Sequence, residues 1–76
     1  MNTTTKAIIE RLPKKPIISP ADIAAAYSMV STAPIIADIK VGRLEANSIN
    51  GRYIISRAAA EKYIAANEYT PDEGTL

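Results

Sequence analysis

The chain has 76 residues, which is room for one small domain. It contains no His and no Cys, and this excludes the usual zinc ligands, a thiol nucleophile, disulfides and the most common acid–base group. We therefore expect no metal site, no cofactor and no enzymatic activity.

Formal charge is divided unevenly along the chain. Residues 1–67 contain nine basic and five acidic residues, a balance of +4, whereas residues 68–76 contain three acidic residues and no basic one, a balance of −3. A basic body with an acidic tail fits a nucleic-acid partner. Because the sequence has no apolar run long enough for a membrane span and no signal segment, we expect a soluble, cytoplasmic protein without membrane contact.

The N-terminal segment, residues 1–16, is basic and contains two prolines that stop a helix from continuing into the next element. One short helix fits within it, from Thr5 as its cap to Leu12, and such a helix is too short to be stable alone. The segment is therefore either a short helix docked on the domain or a mobile basic arm. Its Lys14 and Lys15 are candidate phosphate contacts.

Two helix starts follow in close succession. In Ser19-Pro20-Ala21-Asp22, a Ser cap, a Pro at the first helical position and an acid three residues after the cap predict a helix over residues 20–27. Ser31 is the predicted cap of a second helix, and Gly42 is its predicted end. Two helices joined by a tight turn have the size of a helix-turn-helix.

The apolar pattern changes to a period of two after the second helix. Asn50-Gly51 is a strong hairpin signal because both residues tolerate the positive φ of a type I′ turn, and residues 52–55 return as the second strand. A last helix is predicted over residues 57–67, so that the domain spans residues 17–67. Its pattern predicts a solvated side with Arg57, Glu61 and Lys62 and a buried stripe of Ala59, Ala60, Tyr63 and Ile64. Residues 68–76 have no periodicity and are expected to form a disordered acidic tail.

Helix, turn, helix, two-stranded wing and helix follow one another over residues 18–63, about three fifths of the chain. In this order the sequence resembles the winged-helix DNA-binding domains of the excisionase family, which are related to the MerR-type regulators. The most specific part is Gly42-x-Leu44-x-Ala46, followed at the expected distance by Gly51-Arg52-Tyr53 and a capped helix. The matching positions are Ile18-Ser19, Ala24, Val30-Ser31, Ile35, Ile39, Gly42-Arg43-Leu44, Ala46, Asn50-Gly51-Arg52-Tyr53-Ile54-Ile55 and Ala59.

The resemblance implies an α+β fold, a small winged helix-turn-helix with a C-terminal helix, and no catalytic activity. In the family the second helix enters the major groove of double-stranded DNA, and the wing contacts the backbone or the minor groove. Arg43 is a further candidate phosphate contact beside Lys14 and Lys15. The positions that match DNA-facing ones are Ser31, Thr32, Ala33, Ile36, Ala37 and Lys40 on the helix, and Asn50, Gly51 and Arg52 in the wing.

The second helix departs from the family pattern. Thr32 and Ala37 stand where members commonly carry Arg or another long polar residue, and Asp38 stands where an apolar residue is usual. Lys40 and the Thr32 side chain remain for contacts with base edges, while Ile36 and Ala37 remain for contacts with thymine methyls. We expect specificity to depend on DNA shape and on the wing more than on this helix.

Several of these residues also have a purely structural interpretation. Arg52 is either a solvated strand charge or a phosphate or minor-groove contact, and Lys40 either complements the helix C-terminus or meets DNA. Ile36 fits a core position as well as a base contact. Lys14 and Lys15 are either solvated or add phosphate contacts, each of which would steepen the salt dependence of binding.

The function expected from this sequence is that of a DNA-binding architectural protein, an excisionase or recombination directionality factor. Family members bind repeated sites, bend the DNA and direct a partner integrase towards excision. With few phosphate contacts per domain, we expect cooperative binding with self-association on DNA. One alternative is a small transcriptional regulator with the same fold. The other is a protein-interaction module in which the apolar helix of residues 32–40 is a docking surface.

Overall fold

A computed structural model describes residues 1–69 of the chain. These residues form four helices and a three-stranded sheet, so the expected α+β class is confirmed. The elements in chain order are α1 (Thr3–Glu10), β1 (Ile17–Ile18), α2 (Pro20–Ala26), α3 (Ala33–Lys40), β2 (Asn47–Ile49), β3 (Arg52–Ser56) and α4 (Arg57–Ala66).

The sheet is antiparallel and has the strand order β1-β3-β2. Strand β1 was not predicted, because two residues carry no period. It pairs with the far end of β3, where Ile18 lies opposite Ile55, and both side chains are fully buried. The pairing joins the β2–β3 hairpin to the body of the domain.

The sequence left open whether the N-terminal segment is a docked helix or a mobile arm. It contains helix α1, which packs on α4. The helix begins three residues before the predicted start, because the side chain of Asn2, rather than that of Thr5, caps it by accepting from the Thr5 N–H at 2.7 Å. The Thr5 hydroxyl instead donates to the Glu68 carboxylate at 2.9 Å. Glu68, assigned from sequence to the acidic tail, thus has a defined position, while residues 70–76 of that tail lie outside the described residues.

Helix α2 confirms the predicted capping box. The Ser19 hydroxyl accepts from the Asp22 N–H at 3.1 Å, and the Asp22 carboxylate accepts from the Ser19 N–H at 3.0 Å. At its other end Ser28 has a φ of 60°. Its N–H donates to the Ala25 carbonyl, and the next N–H, of Met29, donates to the Ala24 carbonyl. This is the hydrogen-bond pattern of a Schellman motif, which usually places Gly where Ser28 stands.

The core lies between the inner face of the sheet and the four helices. Every helix contributes to it, and α4 contributes the predicted stripe: Ala60, Tyr63 and Ile64 are buried, and Ala59 packs against the core from a half-buried position. Within residues 1–69, none of the helices combines the length and the apolar character that crossing a membrane requires. The buried apolar residues are Leu12, Ile18, Ile23, Ala24, Ala26, Ile35, Leu44, Ile55, Ala60, Tyr63 and Ile64.

Candidate nucleic-acid interface

Helix α3 is anchored in the core by Ile35, whose exposed fraction is 0 %. The helix begins at Ala33, one residue later than a helix capped at Ser31 would. Ser31 still satisfies part of the helix start, since its hydroxyl accepts from the Ala33 N–H at 3.1 Å, whereas the Thr32 side chain makes no capping hydrogen bond. The predicted cap is therefore wrong by one residue: Thr32 is the N-cap, and Ser31 binds the first N–H of the helix from the position before it.

The side of α3 opposite Ile35 faces solvent. Ala33, Ala37 and Lys40 are exposed and follow one another at i, i+4 and i+7, which places them on one face of the helix. Ile36 lies beside this face, half-buried and outside the group of residues that pack on the core. The face is accessible, is formed mainly by small apolar side chains, and carries a single cation.

The end of α3 is held by a second Schellman motif. Gly42 has a φ of 84° and donates its N–H to the Ile39 carbonyl, and the N–H of Arg43 donates to the Asp38 carbonyl at 2.9 Å. The Lys40 side chain lies in the last turn, where a cation interacts favourably with the helix dipole. Both interpretations of Lys40 are therefore compatible with its position.

The Asp38 side chain faces α4 rather than solvent. Its carboxylate accepts a hydrogen bond from the Tyr63 hydroxyl at 2.5 Å, and Tyr63 is 7 % exposed. Burial and this hydrogen bond together raise the pKa of Tyr63 well above its ordinary value. Burial also raises the pKa of Tyr27, the residue that ends α2. Asp38 thus makes a polar contact that joins α3 to α4.

The β2–β3 hairpin has the predicted tight turn. Asn50 and Gly51 have φ angles of 51° and 77°, as a type I′ turn requires, and Ile49 pairs with Arg52 directly across it. Asn50, Gly51 and Arg52 are all exposed. Because side chains alternate along a strand, Arg52 lies on the face of β3 opposite to the buried Ile55.

The hairpin shares a groove with the loop that precedes β1. This hairpin groove has a volume of about 410 Å³ and brings together three of the predicted contact residues, Lys15, Asn50 and Arg52. Isoleucines of all three strands also line it, and among residues 1–69 no acidic side chain does. Lys15 lies 3.8 Å from the Asp22 carboxylate, but its side chain is 58 % exposed, and such surface pairs leave a cation accessible.

The remaining predicted phosphate contacts lie elsewhere. Lys14 shares a groove with Lys15 and Arg57, so that Lys15 belongs to both this groove and the hairpin groove. Arg43 lines a separate groove together with Lys62 and Glu45. The exposed face of α3 and the hairpin groove have no lining residue in common.

Two cations beside these residues were not predicted as part of an interface. Arg57 and Lys62 were both assigned to the solvated side of α4, and the helical pattern gave no reason to single them out. Arg57 does carry a signal in the sequence, because it follows the Ser56 cap directly, where the helix dipole disfavours a cation. Lys62 carries none, since its place beside Arg43 results from tertiary packing alone.

Comparisons with protein-family models, with curated protein sequences and with solved structures gave no match to this chain.

Proposed function

We propose that the protein is a DNA-binding architectural protein with a winged helix-turn-helix fold, acting in the cytoplasm as an excisionase or recombination directionality factor without catalytic activity of its own. The order of the elements supports the fold: two short helices joined by a tight turn, then a hairpin, then a helix. The excisionase role is supported by the resemblance over residues 18–63. Double-stranded DNA is the proposed ligand.

The observation that carries the proposal is the hairpin groove. Arg52 lines it beside the hairpin turn and Lys15 lines it from the loop before β1; none of its lining residues within residues 1–69 is acidic, and Asp22 lies 3.8 Å from Lys15 in a surface pair. Two accessible cations at one edge of a small domain suit the phosphates of a duplex backbone. The exposed α3 face, with Ala37 and Lys40, is the surface proposed for the major groove.

The electrostatics favour weak binding to a single site. The α3 face carries one cation and the hairpin groove carries two, so few phosphates are neutralised by each copy. Cooperative binding of neighbouring copies to repeated sites supplies the affinity that one domain lacks. A gel-shift titration on a fragment with several sites tests this step, and independent filling of the sites would refute it.

The central experiment measures the affinity for a duplex over a series of salt concentrations. Arg52→Gln should weaken binding and reduce the slope of log affinity against log salt by about 0.9, the value for one lost phosphate contact. Lys6→Gln is the matched control, because Lys6 is an exposed cation on α1 outside the candidate interface. If both variants reduce the slope equally, or neither does, Arg52 is not a specific contact.

A transcriptional regulator would use the same DNA-binding surface. An excision assay with an integrase and its attachment sites separates the two roles, because a regulator would bind the duplex and leave the yield of excision unchanged.

A protein-interaction module is favoured by one separate observation. The turn between α2 and α3 exposes Val30 completely and Met29 by 37 % of its surface, next to the small residues of α2. Binding of the protein to an integrase, with no affinity for any duplex at low salt, would support this candidate instead.

A further inference from the structure

The loop between α1 and β1 carries two lysines beside an arginine of α4. Lys14, Lys15 and Arg57, here called the basic cluster, line one groove together with Pro16. Both lysines are exposed, and Arg57 is half-buried. The three cations come from two segments that are far apart in sequence, so their proximity is a product of the fold.

Arg57 fixes the backbone that carries the two lysines. Its N–H donates to the Pro16 carbonyl at 2.9 Å, and its guanidinium donates through Nη1 to the Pro13 carbonyl. Within the loop, the Lys15 N–H donates to the same Pro13 carbonyl at 2.9 Å. The lysines therefore project from an ordered turn, which lowers the entropy lost when they engage a ligand.

The guanidinium keeps capacity for a ligand. One donor goes to Pro13 and Nε donates to the Glu61 carboxylate at 2.8 Å, so two of its five N–H donors are used within residues 1–69. The i,i+4 pair with Glu61 offsets the unfavourable position of a cation in the first turn of a helix, where acids are favoured. Glu61 offsets one charge and Asp22 lies near Lys15, which leaves the cluster cationic.

We infer that the basic cluster is a phosphate-binding site. A guanidinium with unused donors, flanked by two lysines on a fixed turn, has the chemistry that recognises phosphate oxygens. Lys15 also lines the hairpin groove, so the basic cluster adjoins the groove that contains Arg52. This assignment rests on the proposed function. The ligand of the cluster is then a backbone phosphate of the duplex, next to the contact that the hairpin makes.

The first arm of the test needs no DNA. Amide chemical shifts of the full chain are followed while sodium phosphate is added, and sodium chloride at equal ionic strength is the reference. Phosphate-specific shifts at Lys15 and Arg57, reduced at least several-fold in Lys14→Gln, support the site. Equal shifts in phosphate and chloride overturn it.

The second arm identifies the source of the phosphate by the salt dependence of duplex binding. Lys14→Gln is suited to this arm because Lys14 lies in the cluster and outside the hairpin groove. We expect the slope to fall by about 0.9, with Lys6→Gln unchanged as the matched control. An unchanged slope in Lys14→Gln overturns the assignment to the duplex, while the proposed function stands on Arg52.

Arg57→Lys tests the guanidinium itself. The variant keeps the charge and loses the planar fork with its bonds to Pro13 and Glu61, so phosphate-specific shifts should weaken beyond the loss in Glu61→Gln, which removes only the carboxylate beside Arg57. Equal phosphate-specific shifts in Arg57→Lys and in the parent chain would overturn recognition by the guanidinium. If the chain binds no duplex but the phosphate-specific shifts appear, the proposed function fails and the site is retained for free phosphate groups.

Discussion

The hydroxyl of Tyr63 on α4 donates a hydrogen bond of 2.5 Å to the carboxylate of Asp38 on α3. Asp38 is half-buried and Tyr63 is buried, so water has limited access to this pair. The bond joins the helix that carries the candidate DNA-facing residues to the C-terminal helix. Ile35 of the same helix is buried in the core, so α3 is held at two positions. Together the two contacts fix the rotation of α3 about its axis.

Removal of the Tyr63 hydroxyl should destabilise the domain. In Tyr63→Phe the carboxylate of Asp38 loses its partner in a half-buried position, and we expect the free energy of unfolding to fall by about 1–2 kcal/mol. Urea denaturation at neutral pH measures it. Tyr53→Phe is the matched control, since the Tyr53 hydroxyl has no hydrogen-bond partner within residues 1–69; an equal loss in both variants would contradict the assignment.

The same pair predicts a loss of stability at alkaline pH. Because the pKa of Tyr63 is raised above the ordinary tyrosine value of 10.0, the unfolded chain releases this proton more readily than the folded one. The contribution to stability is complete below pH 10 and declines as the pH rises beyond it. Denaturation curves between pH 8 and pH 11.5 should show this decline, and Tyr63→Phe should show a smaller one. A decline of equal size in the variant would point to other groups.

Ser28 occupies a position that suits Gly better. Its φ of 60° is left-handed, which costs a residue with a Cβ atom roughly 1 kcal/mol. The Ser28 hydroxyl also accepts from the Arg11 guanidinium at 2.8 Å on the surface. Ser28→Gly and Ser28→Ala both lose that contact, and only the first relieves the backbone. We expect the free energy of unfolding of Ser28→Gly to exceed that of Ser28→Ala by about 1 kcal/mol, so that Ser28→Gly unfolds at a higher denaturant concentration. Equal midpoints would show that the turn is unstrained.

Local signals predicted the elements that depend on neighbouring residues. The Ser19–Asp22 capping box and the Asn50-Gly51 turn each satisfy their own backbone groups, so their structure follows from a few adjacent positions. The start of α1 was wrong for a related reason: Asn2 and Thr5 are both acceptable caps, and Thr5 instead donates to a residue 63 positions away. Only the folded chain decides between them.

Contacts between distant segments account for the rest. Strand β1 is defined by its pairing with β3, and the Arg57 bonds to the loop before it depend on the same pairing. The resemblance implied an apolar residue where Asp38 stands, and the hydrogen bond from Tyr63, 25 positions away, is a contact that no local pattern contains. Sequence patterns proposed the candidate contacts one by one, whereas they gave no indication that Lys15 and Arg52 line the same groove.

The contacts of Glu68 predict that α1 is held less firmly at acidic pH. The Glu68 carboxylate accepts from the Asn2 N–H at 3.1 Å and from the Thr5 hydroxyl at 2.9 Å, and these bonds, the Asn2 bond first, lower the pKa of Glu68. The stabilising contribution is present above the ordinary value of 4.5 and is lost as the pH falls through the lowered pKa. The protection of the amides at the start of α1, measured as their exchange rate relative to that of the unfolded chain at the same pH, should therefore fall below pH 4.5.

Glu68→Gln separates this effect from general acid sensitivity. The amide oxygen still accepts both hydrogen bonds but does not titrate. The protection of the Thr5 and Lys6 amides against exchange should therefore depend less on pH than in the parent chain. Glu45→Gln is the matched control, because Glu45 is exposed and its carboxylate makes no hydrogen bond within residues 1–69. If Glu45→Gln reduces the pH dependence as much as Glu68→Gln does, the effect arises from the charge of the whole chain and not from the contact between Glu68 and α1.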